Sequence, residues 1–231
     1  HAQRLLEIEI RATFTEAPPD LQRKNLRAAY NSFHFISHSM RVFNTRAYTS
    51  WLQRHYEDHF NIDGIPHTLP DINKRLHKDF FVLEIPPNRR RNMYTYCTVG
   101  MSCDRLDDNL VEMFVYSPVR SKELVVLMSW CAAYHRNRLA IKTNHTVNIG
   151  QPWLLDSPCD HGLVSRPHLE GEEFEFFHFE GHYVHCHWFI PITARERDYR
   201  LKYGPQALEK LFKKKQVDFL NPYRNCLILG E

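Results

Sequence analysis

Glycine is scarce, with only 8 in a chain of 231 residues. A loop that cradles phosphate needs several, so that the backbone can turn tightly and approach the ligand. No P-loop, no G-x-G-x-x-G and no G-x-S-x-G nucleophile turn is present. H-E-x-x-H is absent too. No C-x-x-C pair occurs among the six cysteines at 97, 103, 131, 159, 186 and 226. They are too sparse for a secreted disulfide scaffold, so they read as reduced thiols and predict a cytoplasmic protein. No apolar run reaches the length of a membrane span. No N-terminal stretch shows the charged, apolar and small-residue order of a signal peptide. Excess charge is also missing: the net value of +3 does not argue for nucleic acid. Lys213-Lys214-Lys215 reads as the solvated end of a helix, where cations suit the macrodipole. Paired acids such as Asp107-Asp108 and Glu172-Glu173 lie near turns and read as solvated loop charge.

What is there suffices for one substantial core, since 43% of the residues are hydrophobic. LLEIEIRATF (5–14) alternates like a strand without excluding a helix. After Pro18-Pro19, the spacing of Leu26, Tyr30, Phe33, Met40 and Phe43 predicts a long amphipathic helix. A second helix is expected from about Thr49-Ser50, with Trp51, Leu52, His55, Tyr56 and His59 on or near one face. The turn-rich stretch NIDGIPHTLPD (61–71) then separates a helical N-terminal region, 1–70, from a main domain, 71–231.

Beyond it the texture becomes β-branched and aromatic. DFFVLEI (79–85), MYTYCTVG (93–100) and LVEMFVYSP (110–118) read as strands. PPNRRRN joins the first two and presents a basic tip. SKELVVLMSWCAAYH (121–135) has helical spacing and a capping serine, and reads as a buried helix. IKTNHTVNI (141–149), EFEFFHF (173–179) and HYVHCHWFIPI (182–192) are further strand candidates. Thr193-Ala194-Arg195-Glu196 is a capping box that opens a helix, and Gly204-Pro205 separates it from the next. The expected class is α+β: a mixed central sheet flanked by helices, with a helical N-terminal extension.

The most reactive-looking stretch is FEFFHFEGHYVHCHWFIPI (174–192). On a strand, His185 and His187 share one face with Tyr183 and Phe189, while Cys186 lies on the other. A Cys186–His dyad is thereby disfavoured. His185 and His187 could hold zinc if His178 or a glutamate from the partnering strand supplied a third ligand. With 15 histidines in the chain, chance grouping competes with that reading. A metal-dependent enzyme on this strand pair is the alternative to a binding protein. Nucleic-acid binding through Arg89-Arg90-Arg91 and Lys213-Lys214-Lys215 is a third class.

From about residue 79 onward an ordered series resembles the suppressor-of-fused domain family, in its single-domain bacterial form. It comprises the aromatic strand and small-residue turn of 94–102 and the strand VEMFV (111–115) with its internal acid. The helix from Leu127 to Tyr134, the T-x-x-E start at 193–196 and the final helix QALEKL (206–211) complete it. The resemblance implies an α+β fold, a non-catalytic binding role and no cofactor. The animal relative clamps a short peptide of Gli-type transcription factors as an added strand between two domains. Tyr134 matches the family tyrosine at the helix end. Asn144 and His145 stand where that relative has an acidic residue facing its ligand, so a salt bridge to a ligand cation is lost here. The resemblance covers only the equivalent of that relative's first domain. Short bacterial members imply a role in toxin-neutralising immunity. The expected partner is a protein, either a toxin or an extended peptide strand.

Overall fold

The computed structural model describes residues 44–105 and 109–228. The strand or helix read at 5–14 and the helix read from Leu26 to Phe43 lie outside the described residues.

Helix α1 spans Thr45–Phe60, and the Asn44 side chain caps it by accepting from Ala47 N at 3.1 Å. Its buried stripe is Tyr48, Leu52, Tyr56 and Phe60, four residues apart each time, so one face meets the core. Trp51 points outward and is 64% exposed. In the turn-rich stretch that follows lie β1 (Ile65–His67) and the short helix α2 (Pro70–Asn73). Next come β2 (Phe81–Ile85), β3 (Tyr94–Val99), β4 (Val111–Ser117) and helix α3 (Lys122–Asn137). The remaining strands are β5 (Thr146–Asn148), β6 (His161–Ser165), β7 (Phe176–Phe179) and β8 (His182–Ile192). A single turn, α4 (Glu172–Glu175), precedes β7, and α5 (Ala194–Tyr203) and α6 (Pro205–Lys215) follow β8. No described helix is long and apolar enough to cross a membrane.

The strands form one mixed sheet in the order β1-β2-β3-β4-β8-β6-β5. β4 and β8 run parallel, and every other pairing is antiparallel. β8 organises it. His185 pairs with both Val111 and Phe176, and Trp188 with both Phe114 and Ser165. So β4 takes one edge of β8, and β7 then β6 share the other. Pro191 lies beyond the reach of β4, where a missing N–H costs no ladder bond.

Alternation sends side chains to two cores. Leu83, Cys97, Phe114, Cys186 and Trp188 face α1, α6 and the aromatic rings of 174–179. Val82, Tyr96, Met113, Val115 and Phe189 face α3. The expected α+β architecture with a mixed, helix-flanked sheet is what the chain adopts. Glu112 is the polar exception in the first core. Its carboxylate is fully buried and receives Tyr48 Oη (2.7 Å), Thr98 Oγ1 (2.7 Å), Met101 N (3.2 Å) and Ser102 N (3.1 Å). Burial pushes its pKa up to about 7, although these four donors favour the charged form.

The capping box forms as expected, with Thr193 Oγ1 accepting from Glu196 N. Glu196 also receives both terminal nitrogens of Arg224, at 2.6 and 2.7 Å, and so fastens the C-terminal segment.

Candidate partner-binding site

Among the described residues the sheet has two edge strands, β1 at one end and β5 at the other, and segment 142–145 leads into β5. Ser121 caps α3 by accepting from Leu124 N, and Leu124, Met128 and Ala132 seat the helix on the sheet. At the other end of α3, His135 Nδ1 accepts from Ile141 N at 2.9 Å, and Asn109 donates to the Ile141 carbonyl at 2.9 Å. These bonds lead the chain from the helix end, where Tyr134 sits half-buried, into segment 142–145. His145 N donates to the Lys142 carbonyl, and Asn144 takes a left-handed backbone with φ 69°. Asn is among the few residues that tolerate this conformation. Asn144 N donates to Val164 O at 2.7 Å, and Val164 N donates to His145 O at 2.9 Å. The two predicted site residues therefore form the bent entry to β5 and dock it on β6.

The register decides which groups of β5 remain. Ile149 N donates to Asp160 O, and Thr146, Val147 and Asn148 stand opposite Leu163, Gly162 and His161. In an antiparallel pair bonded residues alternate. The carbonyl of 145, the main-chain groups of 147 and the N–H of 149 thus face β6, while the main-chain groups of Thr146 and Asn148 face away. Among the described residues no strand takes that outer row.

β6 itself escapes sequence reasoning, because its run is short and contains Gly162. The glycine is required: a Cβ there would stand 2.0 Å from the Phe189 ring.

The histidine face is arranged as the alternation predicts. The rings of His185 and His187 are 5.8 Å apart, and Cys186 is on the opposite face, 3.4 Å from Tyr56 Oη. His178 stands opposite Tyr183, with ring centroids 4.9 Å apart, while His185 faces Phe176. Among the described residues no three His, Cys, Asp or Glu side chains converge as a metal would need. His187 is only 4% exposed, with Nε2 3.4 Å from Thr143 Oγ1. Burial, with His185 adding to it, pushes its pKa down to about 4. Through His187 the stretch touches segment 142–145 at Thr143.

A second cluster also escapes the sequence. Glu170 accepts a bidentate pair from Arg91 (2.9 and 2.8 Å), a bond from the Tyr116 hydroxyl, and one from His59 Nε2 (2.7 Å). Arg91 stacks over Phe60 and Tyr116 at 4.9 Å each. Burial alone would raise the Glu170 pKa, but the bonds from His59, Arg91 and Tyr116 hold it down at about 2. Of the basic tip, Arg89 and Arg90 are exposed and Arg91 is consumed inside the protein.

Residues 77–225 match the family described as suppressor of fused protein (SUFU). No curated protein is similar enough in sequence to count as a match. Among solved structures, a SUFU homologue from Neisseria gonorrhoeae FA 1090 is similar at 25% identity and a TM-score of 0.70. That likeness covers 80% of this chain and 100% of the other. A chain of the Sufu–Fu complex is similar in fold at 11% identity and a TM-score of 0.51, covering 72% of this chain and 84% of that one. With two thirds of its length inside the family match and this sheet beneath it, the chain belongs to the suppressor of fused family.

Proposed function

We propose that the chain is a non-catalytic protein-binding module that takes an extended segment of its partner onto the outer edge of β5. The observation that carries this reading is that, among the described residues, no strand pairs with the outer row of Thr146 and Asn148, where Thr146 is buried and Asn148 half-buried. Such an edge is completed by another chain's main-chain groups, while side chains beside it set specificity. Asn144 and His145 lead into the edge strand, and with Tyr134 at the end of α3 they are the proposed specificity residues. Neither Asn144 nor His145 carries an anion, so the partner needs no matching cation there. The Sufu chain of the Sufu–Fu complex, which shares the fold, engages a protein. The six cysteines are free thiols and fit a reducing compartment such as the cytoplasm.

The finer proposal is a toxin-neutralising immunity protein. It rests on the resemblance to short bacterial members and on the match that spans the whole Neisseria homologue. The test is purification from the native host, followed by binding assays with the captured protein. Asn148→Pro deletes an outward N–H while leaving the β6 ladder intact, and Asn148→Ala controls for the side-chain bond to Gly150 N. Proline should abolish binding and alanine should not. A captured partner whose toxic activity persists in excess protein would rule out the immunity role, and equal binding by both variants would rule out the edge.

A further inference from the structure

We infer that α5 and α6 form a second docking face, for an acidic protein segment, separate from the β5 edge. Residues 194–215 carry eight Lys or Arg against three Asp or Glu, a local +5 in a chain whose total is +3. The rest of the chain is therefore slightly acidic, and the positive charge is concentrated on these two consecutive helices, which pack on each other.

The acids present do little to offset it. Glu196 is buried and committed to Arg224, and Asp198 pairs with its neighbour Arg197 at 2.8 Å. That leaves Glu209 as the remaining acid of the two helices. Arg195, Arg200 and Lys202 on α5, and Lys210, Lys213 and Lys214 on α6, have no ion-pair partner among the described residues. A merely solvated helix face usually alternates in sign. Here one sign dominates, and although the last-turn lysines of α6 suit its dipole, an anion meeting the face relieves their mutual repulsion.

The apolar part of the face shows which polyanion fits. Arg195, Tyr199, Lys202 and Tyr203 follow the i, i+4, i+7, i+8 pattern of one helical stripe. Tyr203 is 55% exposed. Single-stranded nucleic acid would need open ring faces for its bases. Those faces are taken: Tyr199 and Tyr203 lie 4.6 Å apart, and Lys202 sits 5.0 Å above Tyr203. Carboxylates meeting the cations, with apolar side chains meeting the tyrosine ring edges, suit the surface better.

The test is fluorescence titration of the whole chain with a labelled Glu/Asp-rich peptide carrying interspersed tyrosines, at low and at physiological salt. A single-stranded oligonucleotide of equal charge is titrated alongside. Arg195→Glu/Lys202→Glu/Lys213→Glu/Lys214→Glu reverses the face at exposed positions. Lys74→Glu/Lys78→Glu/Arg89→Glu/Arg90→Glu makes the same net change elsewhere, and unfolding midpoints confirm that both variants fold. The expected result is salt-sensitive peptide binding, weakened about tenfold or more by the first variant and much less by the second. No peptide binding at low salt, equal weakening by both variants, or tighter binding of the oligonucleotide would overturn the inference. None of these outcomes depends on the β5 edge, which both variants leave unaltered.

Discussion

The Tyr48 hydroxyl donates to Glu112 Oε1 across 2.7 Å, both residues wholly buried, and so joins the N-terminal helix to the middle of the sheet. Tyr48→Phe keeps the ring and removes one of four donors to a buried carboxyl group. The expected cost is about 1.5–3 kcal/mol, the range for a hydrogen bond to a charged group. Urea unfolding of the two proteins at neutral pH measures it. The same midpoint in both would show that the bond does not hold α1.

Two buried groups should give opposing pH dependences. Glu112 has a folded pKa of about 7, raised from 4.5. Its contribution to stability is largest below pH 4.5 and is lost as pH rises to 7, on the order of 3 kcal/mol in all. His187 has a folded pKa of about 4, lowered from 6.5. Its contribution is present above pH 6.5 and is lost as pH falls to 4, by a similar amount. The slopes oppose each other between pH 4.5 and 6.5. Glu112→Gln should expose the loss on acidification, and His187→Phe the loss on alkalinisation. Denaturant midpoints from pH 4 to 8 for the three proteins check this, and parallel curves would refute it.

Glu170 ties α1, the β2–β3 loop and β4 together through His59, Arg91 and Tyr116. Glu170→Gln leaves Arg91 half-buried without its counter-ion, a change that costs about 3–5 kcal/mol in buried pairs. The wild-type contribution is present above pH 4.5 and fades as pH falls towards 2. A calorimetric midpoint lowered at pH 7, with the difference shrinking towards pH 2, is the expected pattern.

Gly162→Ala places a methyl group on the Phe189 ring. Overpacking of this kind costs about 1–3 kcal/mol. Gly162→Ala/Phe189→Leu should recover part of that loss, because the smaller side chain vacates the space. Thermal unfolding of single and double variants gives the coupling, and strict additivity would show that the two residues do not meet.

Much of the frame was legible because it is periodic. The strands at 81–85, 94–99 and 111–117, the buried helix before Tyr134 and the capping box at Thr193 all follow from local pattern. So does the division of His185 and His187 from Cys186. β1 was hidden because Pro66 and flanking turn residues mask so short a strand, and β6 because Gly162 interrupts its apolar run. Glu170 was unreadable for another reason: His59, Arg91 and Tyr116 lie far from it in sequence, and only the folded sheet brings them together. Asn144 and His145 were named from resemblance. What the sequence lacks is the register that turns Thr146 and Asn148 outward.

Amide hydrogen exchange on β5, with and without the captured partner, tests the central proposal most directly. In the free protein Val147 N–H should be protected by β6, while that of the half-buried Asn148 exchanges faster. Added partner should slow Thr146 and Asn148 and leave Val147 little changed. A partner that binds fully while both outward amides exchange as before would contradict the account.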